Sequence, residues 1–408
     1  MQNRNQASAL LTGWRLVFTV FILETSYVLN SMDRNLFGVL APDVRAEYEF
    51  SVSEVGLLAS VFALGVGIGG LFAAYVVDRF SIRVVMAGSV ALFSLTTWAQ
   101  TIAFGMVDFA AYRILSGIGE GIQVAVLSAS MALLFPRHRT LAFGTLSASF
   151  GLGALIGPWL GGAILDSTGS WRQPLFWFAM IGIVLVIAVI LLVPKSLVPG
   201  GTQTNDIRIR ESYLNPNVAI MLAAAVVSGF SLFSFVSLFP TYLREGLSFS
   251  PADAGFAAGM FGAGALIAIP AGWLGDRINQ KALIIGSFGG LMVVGVSAFS
   301  LPLSVPIAAI LGFFAGALLS GFLFTNVQSL LQRSMPATRT GFASGLFVAF
   351  WFLPATISGL VFGVAKEAFG WAGAGIVLFG ILPLAVIIAF LFFNMKIVRR
   401  DELVEQKH

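Results

Sequence analysis

The chain alternates long apolar runs with short polar segments from one end to the other. Most runs hold about 20 or more residues, the length that an α-helix needs to cross the hydrocarbon core of a bilayer. Twelve runs can be delimited, and each predicts a membrane-spanning helix. They cover approximately residues 14–40, 53–77, 82–103, 106–135, 141–165, 174–194, 216–243, 251–275, 281–300, 304–333, 341–365 and 371–395.

The composition supports an integral membrane protein. Hydrophobic residues make up 58% of the 408 residues and charged residues only 10%, whereas about 25% are charged in a typical soluble domain. The chain has no cysteine, which excludes disulfides and thiolate metal sites. Its basic residues lie in short loops and form no cluster on one element, so we expect no nucleic-acid partner. We also expect no metal and no cofactor.

Lysine and arginine residues are distributed unevenly between the two sets of loops. If both termini are cytoplasmic, 17 of the 23 fall on the cytoplasmic side, 4 on the external side and 2 inside helices. Positive charge concentrates on the cytoplasmic side of membrane proteins. The sequence therefore predicts cytoplasmic termini in a multi-pass protein, most simply of a bacterial inner membrane.

The two halves of the chain repeat each other. A polar stretch, Lys195–Asn215, separates the sixth run from the seventh, and predicts bundles at 1–195 and 216–408 joined by a linker at 196–215. The segment Phe50–Gly56 resembles Phe249–Gly255, and Asp78-Arg79 reappears as Asp276-Arg277. Parallel repeats of this kind place a transport site between two halves, near the middle of the membrane.

The repeated Asp-Arg pairs follow the second and eighth runs. Their loops resemble the signature cytoplasmic loop of the major facilitator superfamily, although Ala74 and Ser81-Ile82 depart from its usual pattern in the first copy. The resemblance implies an all-α fold of twelve transmembrane helices in two pseudo-symmetric six-helix bundles. It also implies a gating role for Asp78, Arg79, Asp276 and Arg277. A simpler interpretation is that these residues are positive-inside anchors.

Five ionisable residues lie inside the predicted spans, away from their ends: Glu24, Asp33, Arg34, Arg113 and Glu120. Such residues cost about 2.5–3.5 kcal/mol each on insertion scales and are functional candidates by default. Asp33, Arg34 and Arg113 are each about 10 Å from the centre of their span on the external side, and Glu120 is near the midplane. We therefore expect one charged site in the N-terminal half.

The motifs around these charges narrow the resemblance. Asn30-Ser31-Met32-Asp33-Arg34 and the later Arg113-x3-Gly117-x-Gly119-Glu120 are similar to segments of the organic-anion, or anion:cation, symporters. That resemblance implies that Arg34 and Arg113 hold a substrate carboxylate while Asp33 and Glu120 carry protons. Aromatic-acid/proton symporters and Spinster-type lipid transporters resemble the same segments, so the motifs indicate a cluster of families and not a substrate.

The sequence thus predicts a proton-coupled transporter of a small organic anion, working as a monomer by alternating access. Glu24 is a further proton-coupling candidate, and the remaining substrate-binding candidates are Tyr27, Asn30, Ser231, Asn326 and Trp351. Three alternatives stay open: a structural ion-pair network between the first and fourth spans, a Spinster-like lysolipid carrier or multidrug antiporter, and a membrane enzyme or receptor. No nucleophile motif or P-loop supports the last of these.

Overall fold

The computed structural model describes residues 13–77, 79–135, 139–194, 215–335, 340–395 and 398. Twelve helices can be followed through these ranges, and we number them α1 to α12. The first six are continuous, even where Pro42 lies inside α1 and Pro158 inside α5. Their bounds are Trp14–Tyr48 (α1), Val52–Val77 (α2), Ile82–Gln100 (α3), Met106–Leu134 (α4), Arg139–Thr168 (α5) and Arg172–Leu192 (α6).

The second six are more often broken. Helix α7 is Pro216–Glu245 and α9 is Gln280–Ser300, whereas α8 consists of Pro251–Ala265 and Ala268–Arg277. Helix α10 runs through Val305–Gly316, a π-helical turn at Ala317–Leu323, and Phe324–Arg333. Helix α11 comprises Thr340–Phe352 and the first part of Ala355–Gly375, and α12 continues from there through Ile376–Ile381 and Leu382–Leu391.

The corner between α11 and α12 is made by Gly370. Its φ of 71° lies in the left-handed region, which glycine adopts without a Cβ clash. The helical stretch Leu346–Leu391 therefore contains two membrane crossings and not one.

Ten helical stretches of the described chain are long and apolar enough to cross a membrane. Helix α1 is not among them, because polar and charged residues interrupt its apolar sequence. The fold is that of an all-α membrane protein, as the sequence predicts.

Each half has its own hydrophobic core. One core is built from residues between Ile22 and Val193, and the other from residues between Val218 and Val398. The second is rich in aromatic side chains, with Phe235, Phe299 and Phe379 among its fully buried members. The predicted linker at 196–215 lies almost entirely outside the described residues.

The two halves contact each other at one face of the bundle and, between α5 and α8, into its middle. We call the face where α1 begins the proximal face, and the face where α1 ends the distal face. Helices α1, α2 and α5 pack against α7, α11 and α8, respectively. Gly56 of α2 meets Gly359 of α11, where backbone packs against backbone. Since α2 begins at the distal face, this contact is distal.

Ion pairs reinforce the distal contact. The carboxylate of Asp43 accepts hydrogen bonds from Arg244, and Arg45 pairs with Glu245, so both pairs join α1 to α7. The Thr241 hydroxyl also donates to the Gly38 carbonyl oxygen at 3.0 Å. Opening the distal face therefore requires these bonds between the halves to break.

The predicted gating loops lie at the proximal face. The side chains of Arg79 and Arg277 stack on aromatic rings one helical turn earlier, with each Cζ 3.9 Å from the ring centroid of Tyr75 or Trp273. The sequence repeat is thus also a structural repeat. Asp78 and the side chain of Asp276 lie outside the described residues, so their predicted gating role stays a prediction.

Candidate functional site

Polar side chains form stripes along α1 and α4. Residues 26, 30 and 34 of α1 are separated by four positions, and residues 113, 116, 120 and 123 of α4 by three or four. At 3.6 residues per turn, such spacing places each set on one helix face. The two stripes face each other in the core of the N-terminal half.

Arg34 and Glu120 form a buried ion pair between these stripes. The Nε and Nη2 atoms of Arg34 each lie 3.1 Å from Oε2 of Glu120. The Glu120 side chain is fully buried, while the Arg34 side chain is 13% exposed. Removing one partner of such a pair costs about 3–5 kcal/mol, because the other charge is left buried and unpaired.

Amide side chains extend this pair. The Asn30 side chain accepts a hydrogen bond from Arg34 at 3.2 Å and donates one to Gln123 at 2.7 Å. Gln123 in turn donates to the Ser26 hydroxyl at 3.0 Å. These contacts fix the Arg34 side chain in one orientation, which is the condition for recognising a planar anion.

Asp33 contacts helices α3 and α4. Its Oδ2 atom accepts hydrogen bonds from Thr97 of α3 at 2.9 Å and from Ser116 of α4 at 3.4 Å. The residue is only 3% exposed. Two hydroxyl groups therefore donate to one oxygen of this carboxylate. No arginine or lysine of the described residues forms an ion pair with it.

Arg113 is the other buried cation of the site, and aromatic rings flank it. Its Cζ atom lies 4.3 Å from the ring centroid of Phe37 and 4.5 Å from that of Phe62. Its Nε atom donates to the Leu58 carbonyl oxygen at 3.3 Å. Within the described chain, neither terminal amino group of Arg113 has a hydrogen-bond partner, and no carboxylate lies within 4.0 Å of it. Those two groups are available to a ligand.

One carboxyl oxygen of the site also has no donor. The Oε1 atom of Glu120 is buried and accepts no hydrogen bond from the described residues. A carboxylate oxygen left this way is costly, whereas a protonated carboxyl can donate as well as accept.

Glu24 lies apart from this site. Its carboxylate accepts hydrogen bonds from Thr145 and Ser149 of α5, each at 2.7 Å. Tyr27 lies on the α5 side as well, with its ring centroid 6.4 Å from that of Phe150. Both residues therefore line the contact between α1 and α5.

The structure does not bring the three candidates of the C-terminal half into contact with the arginines. The Asn326 side chain is 1% exposed and donates to carbonyl oxygens of Ala271 and Phe322, which places it in the packing of α8 against α10. Trp351 is 1% exposed and packs against Phe324 and Phe347. The Ser231 hydroxyl is buried in α7, with no hydrogen-bond partner among the described residues.

Sequence reasoning missed the neutral members of the site: Ser26, Phe37, Phe62, Thr97, Ser116 and Gln123. A signal exists for three of them, since Ser26 continues the spacing of Asn30 and Arg34, and Ser116 and Gln123 continue that of Arg113 and Glu120. Thr97, Phe37 and Phe62 carry no such signal, because threonine and phenylalanine are ordinary residues of apolar helices.

The model of the Major Facilitator Superfamily matches residues 23–359 and 221–407. This chain belongs to that superfamily. Its family and its relatives are transporters, so the chain is a transport protein and not an enzyme. It is a multi-pass membrane protein.

Curated relatives differ in what they transport. The chain is 26% identical to the cis,cis-muconate transport protein of Acinetobacter baylyi over 301 residues, which are 69% of this chain and 71% of that protein. It is 26% identical to the hexuronate transporter of Bacillus subtilis over 56% of this chain and 57% of that one. It is 24% identical to the quinolone resistance protein NorA of Staphylococcus aureus, over 89% of this chain and 95% of NorA.

A solved structure confirms the fold. A bacterial homologue of the human lysosomal transporter Spinster, in an inward-facing and occupied conformation, superposes with a TM-score of 0.79 at 16% identity. The match covers 96% of this chain and all of that one. At this identity the likeness bears on the fold alone.

Proposed function

We propose that this transporter moves a small organic carboxylate together with a proton, by alternating access. The observation that carries the proposal is the charged site between α1 and α4. Buried Arg113 and largely buried Arg34 lie there with two buried acids, and within the described chain the terminal amino groups of Arg113 have no hydrogen-bond partner. When one of the acids is protonated, the site carries one net positive charge, which a carboxylate would balance.

Arg113 and Arg34 are the proposed anion-binding residues. A guanidinium group can hold a carboxylate through two parallel hydrogen bonds, which a lysine ammonium cannot do. No described residue occupies this edge of Arg113. Arg34 offers it only after its bond to Glu120 is released.

Glu120 and Asp33 are the proposed proton carriers. Protonation of Glu120 removes the charge that holds Arg34 and supplies a donor at the otherwise unsatisfied Oε1. Arg34 then becomes free for the substrate carboxylate. Proton and substrate therefore promote each other's binding, which is the thermodynamic condition for symport.

Named relatives support this substrate class. Muconate and hexuronates both carry carboxylate groups, and the transporters named for them match this chain. The same relatives are bacterial, and with the hydropathy of the chain they support a bacterial cytoplasmic membrane as its location.

The contacts of the distal face define the proposed state of the transport cycle. With cytoplasmic termini, as the distribution of Lys and Arg predicts, the proximal face is cytoplasmic. The ion pairs between α1 and α7 then close the external side, and the site opens inward. Breaking them is the proposed step that exposes the site to the outside.

Export of amphiphilic drugs is the second candidate function. The match to NorA covers 89% of this chain and 95% of NorA. The ion pair between Arg34 and Glu120 disfavours this function. A cationic amphiphile gains no electrostatic attraction from the two arginines of the site.

Uptake by proteoliposomes under an imposed pH gradient tests the proposal. The panel is cis,cis-muconate, D-glucuronate, benzoate, L-lactate, a lysolipid and a cationic dye. We expect accumulation of at least one of the four carboxylates that depends on the gradient. Accumulation of the dye or the lysolipid alone would contradict the proposal and favour the second candidate.

A further inference from the structure

Two phenylalanines contact the arginine that the proposed function assigns to the anion. Phe37 of α1 and Phe62 of α2 place their ring centroids 4.3 and 4.5 Å from Cζ of Arg113. Both residues are 4% exposed. A cation over an aromatic face is attracted by the ring, and more strongly where water is excluded.

The remaining contact of Arg113 complements the rings. Its Nε atom donates to the Leu58 carbonyl oxygen, one turn before Phe62 on the same helix. The rings contact the flat face of the guanidinium, and the Leu58 carbonyl oxygen binds its Nε atom. The edge that carries the two terminal amino groups therefore stays open to a ligand. Thus no acidic side chain orients Arg113 by direct contact within the described residues.

We propose that Phe37 and Phe62 are positioning residues for the substrate anion. They hold Arg113 so that its two free amino groups can donate hydrogen bonds to a carboxylate in the plane of the guanidinium. This inference rests on the proposed function of Arg113. It goes beyond it because neither residue is charged, polar or able to hydrogen-bond the substrate through its side chain.

The arrangement has a physical advantage over an acidic partner. A carboxylate bound to Arg113 would satisfy the same amino groups that the substrate needs and would compete with it. Aromatic rings stabilise the cation without occupying its donors. Freezing a long side chain in advance also lowers the entropy cost of binding.

Phe62 serves both cations of the site. Its ring centroid is also 5.9 Å from Cζ of Arg34. The ring therefore lies beside both guanidinium groups, and its loss is expected to affect the anion more than the loss of Phe37.

A double-mutant cycle tests the inference on the full-length protein. The probe is whichever of cis,cis-muconate, D-glucuronate, benzoate and L-lactate wild-type proteoliposomes accumulate best, and the measured quantity is its dissociation constant. We expect Phe37→Leu and Phe62→Leu to weaken binding by about two- to tenfold, the fold-change that corresponds to ordering one long side chain. In an Arg113→Lys background Phe37→Leu should have no further effect, since an ammonium has no plane for the rings to fix. Phe62→Leu should have a smaller effect than in the wild type, because only its contact with Arg34 remains.

Phe109→Leu is the matched control. Phe109 is fully buried, and its ring packs against those of Phe37 and Trp171, but it does not stack on Arg113. This substitution should lower the melting temperature and leave the dissociation constant unchanged. Phe37→Tyr and Phe62→Tyr keep the flat ring and should retain the wild-type affinity.

Losses that persist undiminished in the Arg113→Lys background would overturn the inference, because the phenylalanines would then act independently of Arg113. Wild-type affinity in both leucine variants would overturn it too. If a leucine variant does not fold, Met at the same position preserves the volume and removes the ring, and the same criteria apply. Unchanged binding in Arg113→Lys alone would instead contradict the proposed anion site, as would a wild-type protein that accumulates none of the four probes.

Discussion

Glu120 is the residue on which proton coupling depends in the proposed mechanism. We predict that Glu120→Gln abolishes accumulation driven by a pH gradient but preserves exchange of substrate across the membrane. Glutamine imitates the protonated carboxyl and cannot release a proton. The measurement compares gradient-driven uptake with counterflow in proteoliposomes.

Glu24→Gln is the control for that substitution. Glu24 is bound to two hydroxyl groups of α5 and lies apart from the arginines. The Glu24→Gln variant should therefore retain gradient-driven uptake. Accumulation in Glu120→Gln in proportion to the pH difference would place the proton site elsewhere, with Asp33 as the next residue to test.

The second prediction at the scale of single residues concerns Arg113 and Arg34. Hydrogen bonds to charged groups contribute about 1.5–3 kcal/mol each. We therefore expect Arg113→Lys and Arg34→Lys to weaken carboxylate binding by about one to two orders of magnitude, at about 1.4 kcal/mol per decade. The dissociation constant and the melting temperature are measured together.

A purely structural role predicts a different result for the same two variants. If the charges only join α1 to α4, both variants melt at lower temperature and bind with unchanged affinity. Arg34→Lys should be the less stable variant in either case, because Arg34 is the partner of the buried Glu120.

The sequence predicted which charges would form the site but not how they pair. Insertion cost singles out Asp33, Arg34, Arg113 and Glu120 in any apolar span. The pairing of Arg34 with Glu120 depends on the rotation and depth of two helices, which spacing along one helix does not determine. The aromatic contacts of Arg113 depend on α2, where Phe62 is one apolar residue among many.

The prediction at the scale of elements concerns the close backbone contact between α2 and α11. A Cβ atom at Gly56 of α2 would overlap the carbonyl oxygen of Gly359 in α11, so the contact between the halves tolerates only glycine. Added bulk in a packed interface costs about 1–3 kcal/mol. We predict that Gly56→Val shifts the equilibrium between distal-closed and distal-open states toward the open state by about five- to hundredfold.

Cysteine labelling measures that shift. Thr241 is 1% exposed in the distal contact, and the native chain has no cysteine to interfere. Thr241→Cys should react faster with an impermeant reagent in the Gly56→Val background. Gly65→Val is the control, because a Cβ there would overlap Ile114 of α4 inside one half. It should destabilise the protein without accelerating labelling, and equal acceleration by both would contradict the assignment.

The positions of the helices along the sequence were easier to predict than the breaks and π-helical turns within them. The predicted spans agree with the twelve helices, since apolar length is sufficient evidence for a membrane crossing. The sequence did not predict the break of α8 at Leu266 and Ile267, or the π-helical turns of α10 and α12. A signal for the break in α8 was present in the sequence, because Pro270 has no N–H for the carbonyl oxygen of Leu266, four residues earlier. Helix α1 also extends beyond its predicted end at residue 40 to Tyr48, because its polar last turns pair with the other half.

Orientation in the membrane is a property of the whole molecule. We predict that a cysteine introduced at Ser81, between α2 and α3, reacts with impermeant reagents only from the cytoplasm. One at Thr168, the last residue of α5, should react only from outside. Labelling from the opposite sides would reverse the assignment of the proximal face to the cytoplasm. Thr338, a further cytoplasmic position by the same argument, lies outside the described residues.

The division into two halves is the feature of the whole molecule that the sequence indicated most directly. The repeated Asp-Arg loops and the polar stretch near the middle of the chain predict it, and the structure shows a separate core on either side. The sequence did not indicate which face of the pair would be closed. That depends on contacts such as Arg244 with Asp43, which join residues about 200 positions apart through folding alone.

Coupled movement of protons and carboxylate is the central claim, and a pH-sensitive dye enclosed in proteoliposomes tests it most directly. A transported carboxylate is added outside, with the pH initially equal on both sides and the membrane potential clamped. The wild-type protein should acidify the interior as substrate enters, and Glu120→Gln should not. Uptake of the carboxylate with no change in internal pH, or with alkalinisation of the interior, would contradict proton symport.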